Sequence, residues 1–232
     1  MPPSEPIRVA IIDNSIDPSV YTPVAHWAGF LEAPWQAFRA PEGKLPGLAS
    51  FSHFILTGSE ASILDLQPWV ADEIDFVNGA FEAGKAILGS CYGHQLLARA
   101  LAGPACVGRC REPEIGWIPV DIKPTAPFLG PAGIAYAFSL HFDEVRDLPA
   151  DRFDVLASTA VCPVQGFSVR GRNVRGFQIH PEINIPMAET TLRAIMDNRG
   201  RGWEACMEAL SRPRRDSGII TRIVNAFIRI SA

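Results

Sequence analysis

Over its first hundred residues the chain alternates short apolar runs with longer stretches of mixed polarity. Ile7-Arg8-Val9-Ala10-Ile11-Ile12 is apolar enough for a strand buried on both faces, and it ends at Asp13-Asn14-Ser15. Further strands are predicted over residues 35–38 and 51–57, separated by the turn-rich segment 41–47, and Gly58-Ser59 stops the second. Pro68 opens a helix over residues 69–83 that Gly84 closes. Residues 86–88 follow as another buried strand, and a second helix then runs through Leu101 to Gly103. Strands alternating with helices in this way imply a parallel, doubly wound α/β sheet.

From Glu114 the pattern changes to short alternating runs with turns, at 117–122, 134–142, 155–158, 164–169 and 174–179. These predict mixed or antiparallel strands added to the same sheet, and helices return from Pro186. No internal repeat, low-complexity tract or linker divides the chain. One domain is expected, residues 1–198, with 199–232 as its C-terminal helical extension. In that extension Ile219-Ile220, Ile223-Val224 and Phe227-Ile228 recur at four-residue intervals, a doubled apolar stripe along one helix face. Two readings stay open: the stripe docks on the parent domain, or it reaches a second copy and makes a homo-oligomer.

With 47% hydrophobic and 20% charged residues, the 232-residue composition is globular. A net charge of −4 argues against general nucleic-acid or membrane-surface binding. The arginines between Arg199 and Arg229 read as a solvated helical face. No apolar run is long enough for a membrane helix, and residues 1–6 lack the layout of a signal peptide. Five cysteines, an odd number in a chain too long to need staples, point to free thiols and a cytoplasmic setting.

The strongest chemical signal is Ala86-Ile87-Leu88-Gly89-Ser90-Cys91-Tyr92-Gly93-His94-Gln95. A buried strand runs into a Gly-x-Cys-x-Gly turn and then a helix, the context a nucleophile elbow requires. Gly89 and Gly93 suit a turn with no room for Cβ atoms. The Cys91 thiol falls at a helix N-terminus, which favours thiolate, and the Tyr92 N–H is free to face an oxyanion. The base is expected at His180, placed by Val174-Arg175-Gly176-Phe177-Gln178-Ile179-His180-Pro181-Glu182 at a strand end. Glu182, two residues on in extended chain, emerges on the same face and orients the imidazole. His94 reads as a polar helix residue, His26 and His53 as ordinary half-buried histidines, and His141 as part of a substrate-contact loop. Cys106 and Cys110 are four apart with no second pair, so no zinc is expected, and no phosphate-binding glycine loop occurs.

Gly89-Ser90-Cys91-Tyr92-Gly93-His94-Gln95 with the downstream His180-Pro181-Glu182 resembles the class I glutamine amidotransferases. The likeness leans towards stand-alone relatives of the guanosine monophosphate synthetase amidotransferase domain, including γ-glutamyl peptidases, and covers about residues 7–196. Ile55-Leu56-Thr57-Gly58-Ser59 looks like the family's oxyanion loop, Glu114-Ile115-Gly116-Trp117 like its central signature, and His141-Phe142-Asp143-Glu144-Val145 like its His-Gly-Asp segment. The resemblance implies a flavodoxin-like fold and no cofactor. It makes Cys91 the nucleophile, His180 the general base and acid, and Glu182 the orienting carboxylate. Ser59 and Tyr92 N–H groups would form the oxyanion hole, and Gly58, Gln95 and Phe142 would hold the γ-glutamyl substrate. Ammonia would pass to a separate synthase, or, with no such partner, the enzyme would be a γ-glutamyl hydrolase or peptidase. The chain departs from the family at Ser59 and Phe142, where glycine is usual, which predicts hydrolysis with altered substrate preference. The competing reading is a catalytically silent binding member whose pocket Phe142 fills.

Overall fold

The structure, a computed structural model, describes residues 6–198 and 200–230. The leader reading of residues 1–5 and the place of Arg199 on the basic face lie outside the described residues. Five strands form the parallel half of one sheet: β1 (Val9–Asp13), β2 (Trp35–Arg39), β3 (His53–Leu56), β4 (Ala86–Ser90) and β9 (Val174–Phe177). The antiparallel half adds β5 (Val107–Ile122), β6 (Gly133–Val145), β7 (Phe153–Ser158) and β8 (Gly166–Val169). The strand order is β2-β1-β3-β4-β9-β8-β7-β5-β6.

Every residue of β1, β3 and β4 is buried, as apolar runs covered by helices on both faces must be. One face packs against α2 (Val70–Glu82) and α3 (Tyr92–Ala102), through Val77, Ala80, Leu96 and Leu97. The other packs against α1 (Pro23–Ala28) and α6 (Ile219–Ile228), through Trp27, Ile223 and Phe227. A third cluster joins α4 (Ile185–Asp197) and α5 (Trp203–Ser211) to Ile115 and Phe138 of β5 and β6, with Tyr21 at its edge. This is the flavodoxin-like, doubly wound architecture, extended by antiparallel strands.

Two expectations are corrected, and of the two open readings of the α6 stripe the structure shows docking: Ile219, Ile220, Ile223, Val224 and Phe227 are buried in the cluster that includes β1, β3 and β4, because this sheet face otherwise has only the short α1 to cover it, while Ile228 stays partly exposed. The five buried side chains are therefore not available to a second copy. Strand β5 begins ten residues earlier than the pattern at 117–122 implied; residues 109–113, largely exposed, interrupt its alternation, where its register with β6 breaks between Arg109 and Glu114. Strand β9 stops at Phe177, so His180 and Glu182 lie beyond the sheet. The short α1 carried no periodic signal and was missed.

Candidate active site

Cys91 sits between β4 and α3 with φ 48° and ψ −104°, a conformation that costs a side chain strain and recurs at functional turns. The turn closes because its neighbours are glycines. A Cβ on Gly93 would stand 2.2 Å from the Leu56 carbonyl oxygen, and one on Gly89 would stand 2.5 Å from that of Gly93. Cys91 N–H donates to Phe177 O (2.8 Å) and Gly93 N–H to Thr57 O (3.1 Å), fixing the elbow to β9 and to the end of β3. Tyr92 N–H and Ser59 N–H have no protein acceptor among the described residues. The Cys91 thiol lies 3.6 Å from Leu140 O and receives the Gln178 amide at 3.7 Å.

Glu182 does not reach His180 along extended chain. Residues 180–183 form a turn closed by Ile183 N–H to His180 O (3.2 Å), and this folds the carboxylate back to 2.8 Å from His180 Nδ1. Two further donors hold Glu182: Tyr21 Oη at 2.5 Å on Oε1 and Ser90 Oγ at 3.1 Å on Oε2. Tyr21 also packs edge-on against the His180 ring, 5.5 Å between centroids at 87°. Gly58 lets the imidazole approach, since a Cβ there would be 2.7 Å from His180 Cε1. Among the described residues His180 Nε2, on the ring's other side, has no hydrogen-bond partner.

Burial alone would lower the His180 imidazole, but the charges of a Cys91 thiolate and of Glu182 outweigh it and push it up to about 10. For Glu182 burial works upward; His180 and the hydrogen bonds from His180 and Tyr21 overcome it and hold the carboxyl below its ordinary value. Burial and then Glu182 raise the Tyr21 phenol well above its usual range, so its hydroxyl stays a donor.

These groups open on a cavity of about 410 Å³ lined by Cys91, Tyr92, Ser59, Gln95, His180 and Phe142, among others. The Phe142 ring turns to the rim, under the Arg201 guanidinium (4.2 Å) and against Gly202, where a Cβ would be 2.6 Å from Cζ. It does not fill the space before Cys91. Gln95 sends its amide to Asp143 O (2.8 Å) and to Gln178 Oε1 (3.2 Å), so it ties the floor of the cavity together. His94 is fully buried, with Nε2 3.2 Å from Val164 O and its ring on Phe167, and burial pushes it down to about 3. His53 is likewise internal, between Ser52 Oγ and Phe227 O.

Sequence reasoning missed Tyr21, Ser90 and Gln178. Ser90 and Gln178 stood inside the quoted motifs, and nothing in the sequence ties residue 21 to residue 182. It also missed a second buried grouping, Glu114, His141 and Cys162, whose ligand atoms lie within 4.8 Å of one another. Cys106, by contrast, turns its thiol to Ala102 O and Asp147 O.

A strained cysteine at a strand–helix elbow, with a histidine on the same cavity backed by a buried carboxylate, marks an α/β domain of the nucleophile-elbow class, and family comparison makes the class specific. The family model for glutamine amidotransferase class-I matches residues 50–194, and the chain belongs to that family. Relatives include a glutamine-hydrolyzing GMP synthase of Caldicellulosiruptor saccharolyticus, 34% identical over 130 residues, 56% of this chain and 24% of that one. Gamma-glutamyl peptidase 4 of Arabidopsis thaliana is 31% identical over 161 residues, 65% of this chain and 62% of that one. A glutamine-hydrolyzing GMP synthase subunit of Methanothermobacter thermautotrophicus is 37% identical over 99 residues, 42% of this chain and 52% of that one. The chain thus spans less than two thirds of each of these relatives. In fold it matches a glutamine amidotransferase from Thermotoga maritima with TM-score 0.75 at 19% identity, covering 97% of this chain and 99% of that one. Among the described residues no helix is long and apolar enough to cross a membrane.

Proposed function

We propose that this chain hydrolyses γ-glutamyl amides through a thioester on Cys91, with His180 as proton carrier and Glu182 as its orienting carboxylate. The observation that carries the reading is the linked set His180–Glu182–Tyr21–Ser90, whose His180 and Tyr21 line one cavity with Cys91. His180, raised by the charges of Glu182 and of Cys91 once ionised, takes up the Cys91 thiol proton as the sulfur attacks and holds it for the leaving group. The Cys91 sulfur adds to the amide carbonyl, and the oxyanion is met by the unpaired N–H groups of Ser59 and Tyr92. The C–N bond breaks as His180 Nε2 gives its proton to the departing nitrogen. The now neutral imidazole takes a proton from water, hydroxide adds to the thioester, and glutamate leaves as the Cys91 sulfur departs and takes that proton back from His180. Gly58, Gln95 and Phe142 shape the pocket for the γ-glutamyl group and for the amine it is joined to.

The relative named γ-glutamyl peptidase supports a hydrolase that works alone, and the relative named as a GMP synthase subunit supports a separate ammonia-accepting synthase as partner. The Phe142 departure favours the first. We further take residues 1–198 and the extension 199–232 as one folding unit, supported by the burial of α6, and place it in a reducing, cytoplasmic setting, supported by five free thiols. The test is a release assay with glutamine, glutathione and other γ-glutamyl amides, on the wild type and Cys91→Ala. Thioester turnover lost in Cys91→Ala is the expected result. Failure on every γ-glutamyl amide, with Cys91 no more alkylated by a glutamine-like electrophile than the other thiols, refutes the reading.

A further inference from the structure

Behind His141, which lines the cavity, β5, β6 and the β7–β8 loop bring Glu114, His141, Cys162 and Gln165 into one buried cluster, exposed by 8%, 2%, 1% and 0% respectively. His141 Nδ1 lies 3.0 Å from the carbonyl oxygen of Asp143. In the tautomer that donates Nδ1–H to this carbonyl oxygen, which can only accept, the Nε2 lone pair points away from it. Nε2 faces Glu114 Oε2 at 3.0 Å. A lone pair and a carboxylate oxygen do not face each other at this distance unless a cation lies between them, either a proton or a metal ion.

Gln165 reports on the same point. Its amide nitrogen donates to Glu114 Oε2 and lies 3.5 Å from His141 Nε2, while its Oε1, fully buried, has no hydrogen-bond partner among the described residues. A half-turn of the amide exchanges these two atoms and offers Oε1 to the same point at which Glu114 and His141 converge. An orphaned buried acceptor of this kind calls for a partner.

We propose that Glu114, His141 and Cys162, completed by Gln165 Oε1, bind a borderline-soft divalent cation, Zn²⁺ by its donor set. One imidazole nitrogen, one sulfur and two oxygens, closed from solvent, suit zinc better than the hard, oxygen-seeking cations. Charge balances as well. The incoming ion displaces the Cys162 thiol proton to solvent and forms the metal–sulfur bond; one thiolate and one carboxylate then neutralise its two positive charges, leaving no net charge buried. The Asp143 carbonyl plays the outer partner that fixes a ligating histidine's tautomer. Cys110, 3.2 Å from Nδ1, lies on the other side of the ring and is not a ligand. The ion would pin together three segments beneath residues 140–143, whose Leu140 carbonyl touches the Cys91 thiol and whose Asp143 carbonyl holds Gln95.

The experiment takes the full chain, strips it with a chelator, and titrates it with Co²⁺ as the spectroscopic probe. The expected result is one ion per chain, a thiolate-to-cobalt charge-transfer band, d–d bands of tetrahedral intensity, release of one proton, and displacement by Zn²⁺. Cys162→Ser should remove the charge-transfer band and weaken binding at least tenfold, Glu114→Gln should weaken it comparably, and Cys110→Ser should leave both spectrum and affinity unchanged. Absence of saturable binding in the wild type, or a band that survives Cys162→Ser, overturns the proposal. So does a His141 ring found doubly protonated by NMR in excess Zn²⁺, because the cation between His141 and Glu114 is then a proton. The wild-type titration decides even if a variant fails to fold.

Discussion

Glu182→Gln perturbs the least exposed charge in the proposed catalytic set while changing almost no volume. Glu182 is fully buried and meets donors on both oxygens: Tyr21 Oη at 2.5 Å and His180 Nδ1 at 2.8 Å on Oε1, Ser90 Oγ at 3.1 Å on Oε2. A glutamine keeps one acceptor oxygen but carries no charge, so the bonds from Tyr21 and His180 weaken, and the Ser90 hydroxyl must turn to accept from the new NH₂ and donate to Ile179 O. Hydrogen bonds to a charged group are worth about 1.5–3 kcal/mol each, and breaking a buried pair costs about 3–5 kcal/mol in all. The variant should therefore lose about 3 kcal/mol of stability, read as the shift in urea midpoint at constant slope. Activity should fall further, because His180 loses its orienter and its tautomer; the analogous change in serine proteases costs about 10⁴-fold. With the Glu182 charge gone, burial is opposed by Cys91 alone, so the alkaline limb of kcat/KM, set in the wild type by a His180 raised to about 10, should move to lower pH. A folded variant that keeps activity within about tenfold of wild type (about 1.4 kcal/mol) and an unmoved alkaline limb would refute the role given to Glu182.

Glu73, fully buried on α2 beneath Tyr92 Oη (3.4 Å), is pushed up to about 8 by burial. The folded state therefore keeps a proton that the unfolded chain loses from about pH 4.5, and stability falls as pH rises from there towards 8. Glu73→Gln should abolish this slope, so melting temperatures of variant and wild type, close at pH 5, should separate by pH 8 with the variant higher; parallel curves would refute it. Phe142→Gly frees the rim beneath Arg201 and should raise kcat/KM for bulkier γ-glutamyl amides more than for glutamine, checked by parallel kinetics on both; unchanged ratios would place the ring outside substrate reach. Truncation after Leu210 removes the five buried side chains of α6. At about 1.5–3 kcal/mol each this matches the stability of a whole domain, so the shortened chain should be insoluble or unfolded by circular dichroism. A folded, active truncation product would show that α6 is dispensable.

The sequence alone determined the parallel half of the fold and the elbow. Runs such as Val9–Asp13 and Ala86–Ser90 are apolar without alternation, and only strands covered on both faces read that way. Gly89 and Gly93 announced a turn too tight for Cβ, and Cys91, His180 and Glu182 stood out by residue type as candidates for nucleophile, base and carboxylate. The tertiary structure decided everything that depends on contacts between distant segments. The α6 stripe was legible as a docking face or as a dimer face, and the open sheet beside Trp27 shows which, since an apolar face buries against whichever surface lies open. Glu182 meets His180 through a turn rather than along a strand, because β9 ends three residues before the histidine. Tyr21, Ser90 and Gln178 carry no local pattern, so their hydrogen bonds across 161, 92 and 87 residues could not be read from periodicity. The same holds for Cys162 beside Glu114 and His141: metal-ligand spacing in sequence is informative when one short loop supplies the ligands, and here two strands and a separate loop of the folded sheet do.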